Sequence, residues 1–310
     1  MQIYLPIAEL PVNMFMLFGM GGAVGFLSGL FGIGGGFLLT PLLIFSGIPP
    51  AVSVATVTTQ VVASSASGVV AYWRRKMIDF KLAGMLLVGG VIGSAIGVWL
   101  FDLLRTLGQL DLVISLSYVT FLSAIGGLML FESLRSMARR RSGARVAARQ
   151  PGRHNWVHGL PFKMRFRQSR LYVSVIPIIF LGGVIGFLGS ILGIGGGFMM
   201  VPALIYLLRV PTNIVIGTSL LQILFTMAAA TFLHAMSTQS VDIVLALALM
   251  IGGVIGAQFG ARMGQKLRGD QLRLLLALLV LSVGVRFAVN LVLQPDELFS
   301  VSAAIAEVRR

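Results

Sequence analysis

Two near-copies of one segment hold the residues best suited to chemistry: GFLSGLFGIGGGFLLTPLL (Gly25–Leu43) and GFLGSILGIGGGFMMVPAL (Gly186–Leu204). Each contains a glycine triplet, Gly34, Gly35 and Gly36 in the first and Gly195, Gly196 and Gly197 in the second. A glycine inside a helix costs about 1 kcal/mol relative to alanine. Three in a row point around a helix rather than along one face, so they unwind it. A helix restarting at Phe37 or Phe198 presents free N–H groups and a positive dipole end, which suits an anion. Candidate side-chain ligands follow in ATVTTQVVASSAS (Ala55–Ser67) and GTSLLQ (Gly217–Gln222). Thr56 and Gln60 are four apart and share a helix face, as do Thr218 and Gln222. Hydroxyls and amides donate to an anion without burying a charge; the competing reading is hydrogen bonding between helices.

Other polar residues offer less. Arg286 and Glu132 lie inside or near the ends of apolar segments, where each either faces a pathway or reaches to the interface; Arg286 is the candidate pathway charge. His234, near a segment end, reads as a helix-end residue rather than a proton relay, and Asn213 as a helix cap after Pro211. The few intramembrane carboxylates single out neither a proton nor a sodium site. The chain has no cysteine and three scattered histidines, so no metal cluster or cofactor site is expected. No nucleophile–base constellation appears, which disfavours an enzyme. GIGGG departs from the dinucleotide G-x-G-x-x-G spacing and lacks the lysine of a phosphate-binding loop. The pairs Gly25/Gly29, Gly93/Gly97, Gly182/Gly186 and Gly256/Gly260 have the spacing of close helix packing.

The elements that must position these residues are membrane helices. The 310 residues are 57% hydrophobic and only 11% charged, with a mean hydropathy of +0.95. Soluble domains carry roughly 25% charged residues, so the expected fold is an all-α polytopic membrane protein. Apolar segments long enough to span run over 52–73, 82–104, 112–134, 213–236, 243–263 and 271–293. Two longer stretches, 13–45 and 173–208, are interrupted by GIGGG and then by Pro41 or Pro202; each reads as a broken-helix hairpin. The amino terminus, MQIYLPIAELPVNMFMLF, lacks a basic region and cleavage site and reads as a first membrane segment.

The chain is an internal duplication. Nine of 13 positions are identical between 25–37 and 186–198. The correspondence continues through Pro41/Pro202, Pro49/Pro211, Thr56/Thr218, Gln60/Gln222, Asp79/Asp242 and the GGVIG runs at 89–93 and 252–256. Charge placement sets orientation. Eleven of the 24 Lys and Arg fall within 135–170, with no Asp or Glu among them. The net charge of +14 therefore reflects one loop and the positive-inside rule, not a nucleic-acid groove. The loop also suits anionic lipid headgroups. RRKMIDFK (74–81) is basic whereas its counterpart STQSVD (237–242) is not, and RMGQKLRGD (262–270) reverses the bias. The halves are thus expected in opposite orientations, an inverted repeat of secondary-transporter type, each half having a hairpin plus three spans. The divisions are a first membrane repeat at 1–134, a cytoplasmic connector at 135–171, a second repeat at 172–293 and a tail at 294–310.

The paired glycine segments, the GTS element and GGVIGAQFGARMGQKL (Gly252–Leu267) resemble the TauE/SafE family of sulfite and organosulfonate exporters. The resemblance covers the chain apart from the connector and tail. It implies secondary transport of small sulfur anions such as sulfite or sulfoacetate at a bacterial inner membrane. Substrate, direction, the coupling ion (H+ or Na+) and homo-oligomer formation do not transfer with it. The first half reads ATVTT where the second reads GTSLL, so the half-sites are not equivalent. The alternatives are an anion channel on the same scaffold or a membrane accessory protein without flux.

Overall fold

The computed structural model describes residues 2–31, 35–141, 162–166, 168–169, 171–206, 212–264 and 269–292. Each half opens with a hairpin. β1 (Gln2–Leu5) pairs antiparallel with β2 (Leu10–Asn13), Leu5 opposite Leu10. β3 (Lys163–Phe166) pairs the same way with β4 (Leu171–Ser174), Phe166 opposite Leu171. The first half continues as α1 (Met14–Phe31), α2 (Gly36–Phe45), α3 (Pro50–Arg74), α4 (Phe80–Thr106) and α5 (Leu110–Arg141). The second continues as α6 (Val175–Leu192), α7 (Gly197–Tyr206), α8 (Thr212–Leu233), α9 (Ile243–Gly264) and α10 (Gly269–Val292). A π-helical turn, His234–Thr238, extends α8.

Local chemistry fixes these boundaries. Pro50 opens α3, where its missing N–H costs nothing. Asn13 Oδ1 accepts from the Phe15 amide at the start of α1, and Ser174 Oγ from Ile176 at the start of α6. Asp79 caps α4 by accepting from Lys81 and Leu82, and Asp242 accepts from Leu245 in the first turn of α9.

Six helical stretches among the described residues are long and apolar enough to cross a membrane, in α3, α4, α5, α6, α9 and in α8 with its π turn. Five of the six expected spans are among them. The sixth, 271–293, is the helix α10, whose apolar part Leu274–Asn290 is shorter, and α6, expected as one piece of a broken hairpin, is long enough instead. Two further expectations change. The amino terminus does not begin a membrane helix: residues 2–13 form a hairpin, since Leu5 and its strand neighbours alternate in burial and Pro11 sits on an edge strand opposite Tyr4. The connector is also not all loop, because α5 runs on to Arg141 and β3 lies within it. Arginine and alanine propagate a helix well. The rest of the connector, 142–161, lies outside the described residues, as does the tail.

Packing follows the glycines. α1 lies parallel to α9: side chains added at Gly25 and Gly29 would run into the backbones of Gly253 and Ala257, and ones at Gly256 and Gly260 into Gly22 and Phe26. α4 lies parallel to α6 in the same manner, Gly93 against Gly183, Gly186 against Gly90 and Gly182 against Leu86. Small residues every fourth position let these backbones touch. α3 and α8 pack antiparallel, with Thr58 against Thr231 and Gly68 against Leu220. α5 and α10 also run antiparallel, Gly126 against Leu281 and Gly284 against Leu122. The outer surface is apolar. On α4, Val88, Ile92, Ile96 and Trp99 are exposed, opposite buried Leu86, Gly89 and Gly93. Such a face suits lipid, where apolar side chains meet apolar solvent.

Candidate functional site

The two glycine breaks meet. Gly36, the first residue of α2, lies against the carbonyl of Gly193 and the peptide of Ile194 in the other half; a Cβ there would be 2.6 Å from Gly193 O and 2.6 Å from Val61 Cγ2. Gly193 ends α6 with φ +66°, and Gly195 and Gly196 follow at φ +72° and +71°. These left-handed conformations favour glycine, and space is also lacking. A Cβ at Gly193 would lie 2.8 Å from Thr40 Oγ1, and one at Gly195 2.7 Å from Val61 Cγ1. Gly35 precedes α2 at φ −71°, and no side chain caps that helix. Gly34 lies outside the described residues. The N-termini of α2 and α7 thus begin at Gly36 and Gly197, one residue earlier than the sequence suggested.

Side chains from three elements close the carbonyl end of α6. His234 Nε2 is 3.0 Å from Ser190 O, Tyr118 Oη donates to Leu192 O at 2.5 Å, and Thr40 Oγ1 lies 3.5 Å from Gly193 O. A helix leaves its last carbonyls without internal partners, and here buried polar tips take them up. Tyr118 also stacks on Phe287, with ring centroids 5.0 Å apart, and Phe287 packs on Phe45.

The predicted ligands divide into two kinds. Thr56 Oγ1 accepts from the Asp242 amide at 3.0 Å, and Thr218 Oγ1 from the Asp79 amide at 3.1 Å. Each hydroxyl thereby joins the central helix of one half to a helix start in the other. The same aspartates reach further. Asp79 Oδ2 accepts from the Ser169 amide and hydroxyl in the β3–β4 turn, and Asp242 Oδ2 from the Ile7 amide in the β1–β2 turn.

Gln60 and Gln222 differ from the threonines. Both are 1% exposed, and the Oε1 of each has no partner. Gln222 Nε2 donates to Thr226 Oγ1 at 2.8 Å. Gln60 Nε2 lies against Gly253 at the α1–α9 crossing, and Gln222 Nε2 against Gly90 at the α4–α6 crossing; in each case a Cβ would be 2.7 Å away. Thr59 Oγ1 and Ser65 Oγ on α3 are likewise buried without partners. A buried polar atom left unmatched costs about 1–3 kcal/mol. Among the described residues, four such atoms lie on the two central helices, three on α3 and one on α8.

Arg286 is exposed on α10, its guanidinium 4.6 Å over the Phe45 ring at the end of α2. Among the described residues, Phe45, Phe287 and Tyr118 link it to the second break. The Glu132 and Asn213 side chains lie outside the described residues. Residues the sequence reading missed are Thr40, Tyr118, Ser190 and Gly193. Tyr118 left a signal, as the one hydrogen-bonding tip on the buried stripe Ile114–Tyr118–Leu122. His234, read as a helix-end residue, stands where α8 passes into its π-helical turn and is fully buried against Phe101.

A family model described as Sulfite exporter TauE/SafE matches residues 17–287, a span that includes both breaks and all four central polar residues. The chain belongs to the TauE/SafE family. Among its relatives, a probable membrane transporter protein of Bacillus subtilis, YjnA, is 29% identical over 86% of this chain and 96% of its own length. A probable membrane transporter protein of Xylella fastidiosa is 30% identical over 88% of this chain and 94% of its own. The sulfite exporter TauE/SafE family protein 3 of Arabidopsis thaliana is 35% identical over a shorter region, 36% of this chain. No solved structure matches. TauE/SafE proteins are a family of membrane transporters and not of enzymes, which implies a small substrate and a chain embedded in the bilayer.

Proposed function

We propose that this TauE/SafE protein is a secondary transporter of small sulfur anions, sulfite-like oxyanions or organosulfonates, working by alternating access. The anion binds where the breaks meet. Gly35, Gly36, Gly195, Gly196 and Gly197 present backbone N–H groups and two helix N-termini, and Gly34, outside the described residues, is assigned to the same site from the sequence alone. Gln60 and Gln222 supply amide donors, while Thr56 and Thr218 hold α3 and α8 in register with the opposite half. The observation that carries this reading is the pair of buried glutamines with unpartnered Oε1 atoms on the two central helices, Gln60 next in the chain to Val61, which packs against Gly36 and Gly195 at the joined breaks. The oxygen and nitrogen of an amide exchange places by a flip, so either glutamine turns an N–H toward an anion without introducing charge.

The halves lie in opposite orientations, with the basic connector on the cytoplasmic side of a bacterial inner membrane. Antiparallel packing of the equivalent helices α3 and α8, and of α5 and α10, supports this arrangement. So does the reversed loop charge. Two half-sites rocking against each other around a shared centre are a known transporter geometry.

A thermal-shift screen of purified protein with sulfite, sulfate, thiosulfate, taurine and sulfoacetate tests the substrate class. Stabilisation by at least one sulfur anion, lost in the double variant Gly35→Leu/Gly196→Leu, is the expected result. Flux in proteoliposomes left intact by that double variant overturns the site.

A further inference from the structure

The His234 imidazole sits between two oxygen atoms in a way that suits its protonated form. Nε2 is 3.0 Å from Ser190 O, an atom that only accepts, so Nε2 carries a hydrogen. Nδ1 is 3.4 Å from Thr238 Oγ1. That hydroxyl has one hydrogen and donates it to His234 O at 2.8 Å. In the neutral ring, Nδ1 therefore turns a lone pair toward a hydroxyl whose single hydrogen it shares with the nearer His234 O. A proton added at Nδ1 makes that nitrogen a donor, and both ring nitrogens then face acceptors. The π-helical turn produces this placement, with Thr238 four residues on and its hydroxyl folded back on the ring. Such turns recur at functional sites.

The surroundings define when that proton is held. Ser190 lies three residues before Gly193, in the last turn of α6, so the ring abuts the element that forms the second break. Neither α6 nor α8 carries a titratable side chain. From α4, Phe101 covers the ring edge-on, its centroid 4.7 Å away. Arg105, one turn further on, donates to Thr238 O and to Ser240 Oγ, on the backbone side of the turn; Asp102 is half-buried on the same helix. The Asp242 carboxylate, at the start of α9, is taken up by the Leu245 and Ile7 amides. No carboxylate among the described residues is hydrogen-bonded to the ring. Full burial opposes a lone charge there, and an anion at the breaks offsets it.

We infer that His234 is the proton-binding site that couples proton uptake to anion binding in this transporter. The inference rests on the anion site proposed above. By linkage, an anion that favours the protonated ring is itself bound more tightly when the ring is protonated. Both acid groups of sulfoacetate stay ionised between about pH 6 and pH 8, so its binding reports protons taken up by the protein.

The test measures sulfoacetate affinity of the full-length protein in nanodiscs across that range. Wild type is expected to lose affinity as pH rises, approaching tenfold per pH unit. His234→Gln, whose amide still donates to Ser190 O, is expected to bind sulfoacetate with less than twofold change over the same range. Thr238→Val, which keeps the histidine and removes the second acceptor, is expected to flatten the dependence in part. Nitrogen NMR reads the ring directly, because the only other histidines are His154 and His158. Its His234 signal, assigned by its loss in His234→Gln, is expected to move toward imidazolium on adding sulfoacetate. Binding that is equally pH-dependent in His234→Gln, or pH-independent in wild type, overturns the coupling role and leaves the anion site standing. Absence of any sulfur-anion binding by wild type overturns the anion site and the coupling with it.

Discussion

The amide of Asp79 donates to the hydroxyl of Thr218 at 3.1 Å, joining the start of α4 in one half to the central helix of the other. Thr56 and Asp242 make the reciprocal bond at 3.0 Å. Each of these aspartates also reaches a hairpin turn belonging to the half it does not start in, so the halves are cross-tied at both junctions.

Thr56→Val and Thr218→Val each leave a buried amide unmatched and are expected to destabilise the fold by about 1–3 kcal/mol. Serine at either position restores most of the loss, since it retains the acceptor. Thermal unfolding in detergent, with the serine variants alongside, measures this.

Gln60→Met and Gln222→Met should separate function from fold. Each replaces a buried amide with an unpartnered oxygen by an apolar chain of similar length, so stability is expected to hold or rise. Anion affinity is expected to fall about tenfold per variant, the worth of one hydrogen bond to a charged group at about 1.5 kcal/mol. Paired thermal-unfolding and binding measurements show whether the two effects part company.

Alanine substitutions divide the glycines. Gly93→Ala and Gly256→Ala drive a methyl into the backbone of the facing helix and are expected to cost about 1–3 kcal/mol. Gly19→Ala and Gly84→Ala meet nothing within 4 Å, and each is expected to be neutral or to gain up to about 1 kcal/mol in helix propensity. Melting temperatures of the four variants rank them.

Gly196→Ala places a side chain at φ +71° and into Ile185, so a loss of about 1–2 kcal/mol is expected from backbone conformation alone. Gly35→Ala has a right-handed backbone, and its nearest neighbours are the side chains of Val24 and Ser28. It is expected to cost less. Unequal costs at matched positions would express the asymmetry already visible between ATVTT and GTSLL.

Much of this arrangement was legible in the residue order because membrane helices are written in it. Apolar length located the spans, and the glycine pairs at spacing four located the α1–α9 and α4–α6 crossings, although not which helix each would meet. Repeat spacing paired Thr56 with Thr218 and Gln60 with Gln222. It could not separate their roles, because partners such as the Asp242 amide lie 186 residues away in the chain. The hairpins escaped notice since four-residue strands such as QIYL look like the fringe of an apolar run. The burial of His234 depends on a π-helical turn, which no periodicity announces. The capping of α6 by Thr40, Tyr118 and His234 depends on three separate elements converging on one helix end.

The most direct test of the central claim is counterflow in proteoliposomes loaded with unlabelled sulfoacetate and given labelled sulfoacetate outside. An alternating-access carrier with its site at the paired breaks predicts that internal substrate accelerates entry of the label, and that Gln60→Met/Gln222→Met abolishes the acceleration in folded protein. Entry of label that is indifferent to internal substrate, or acceleration that survives in the double variant, would contradict it.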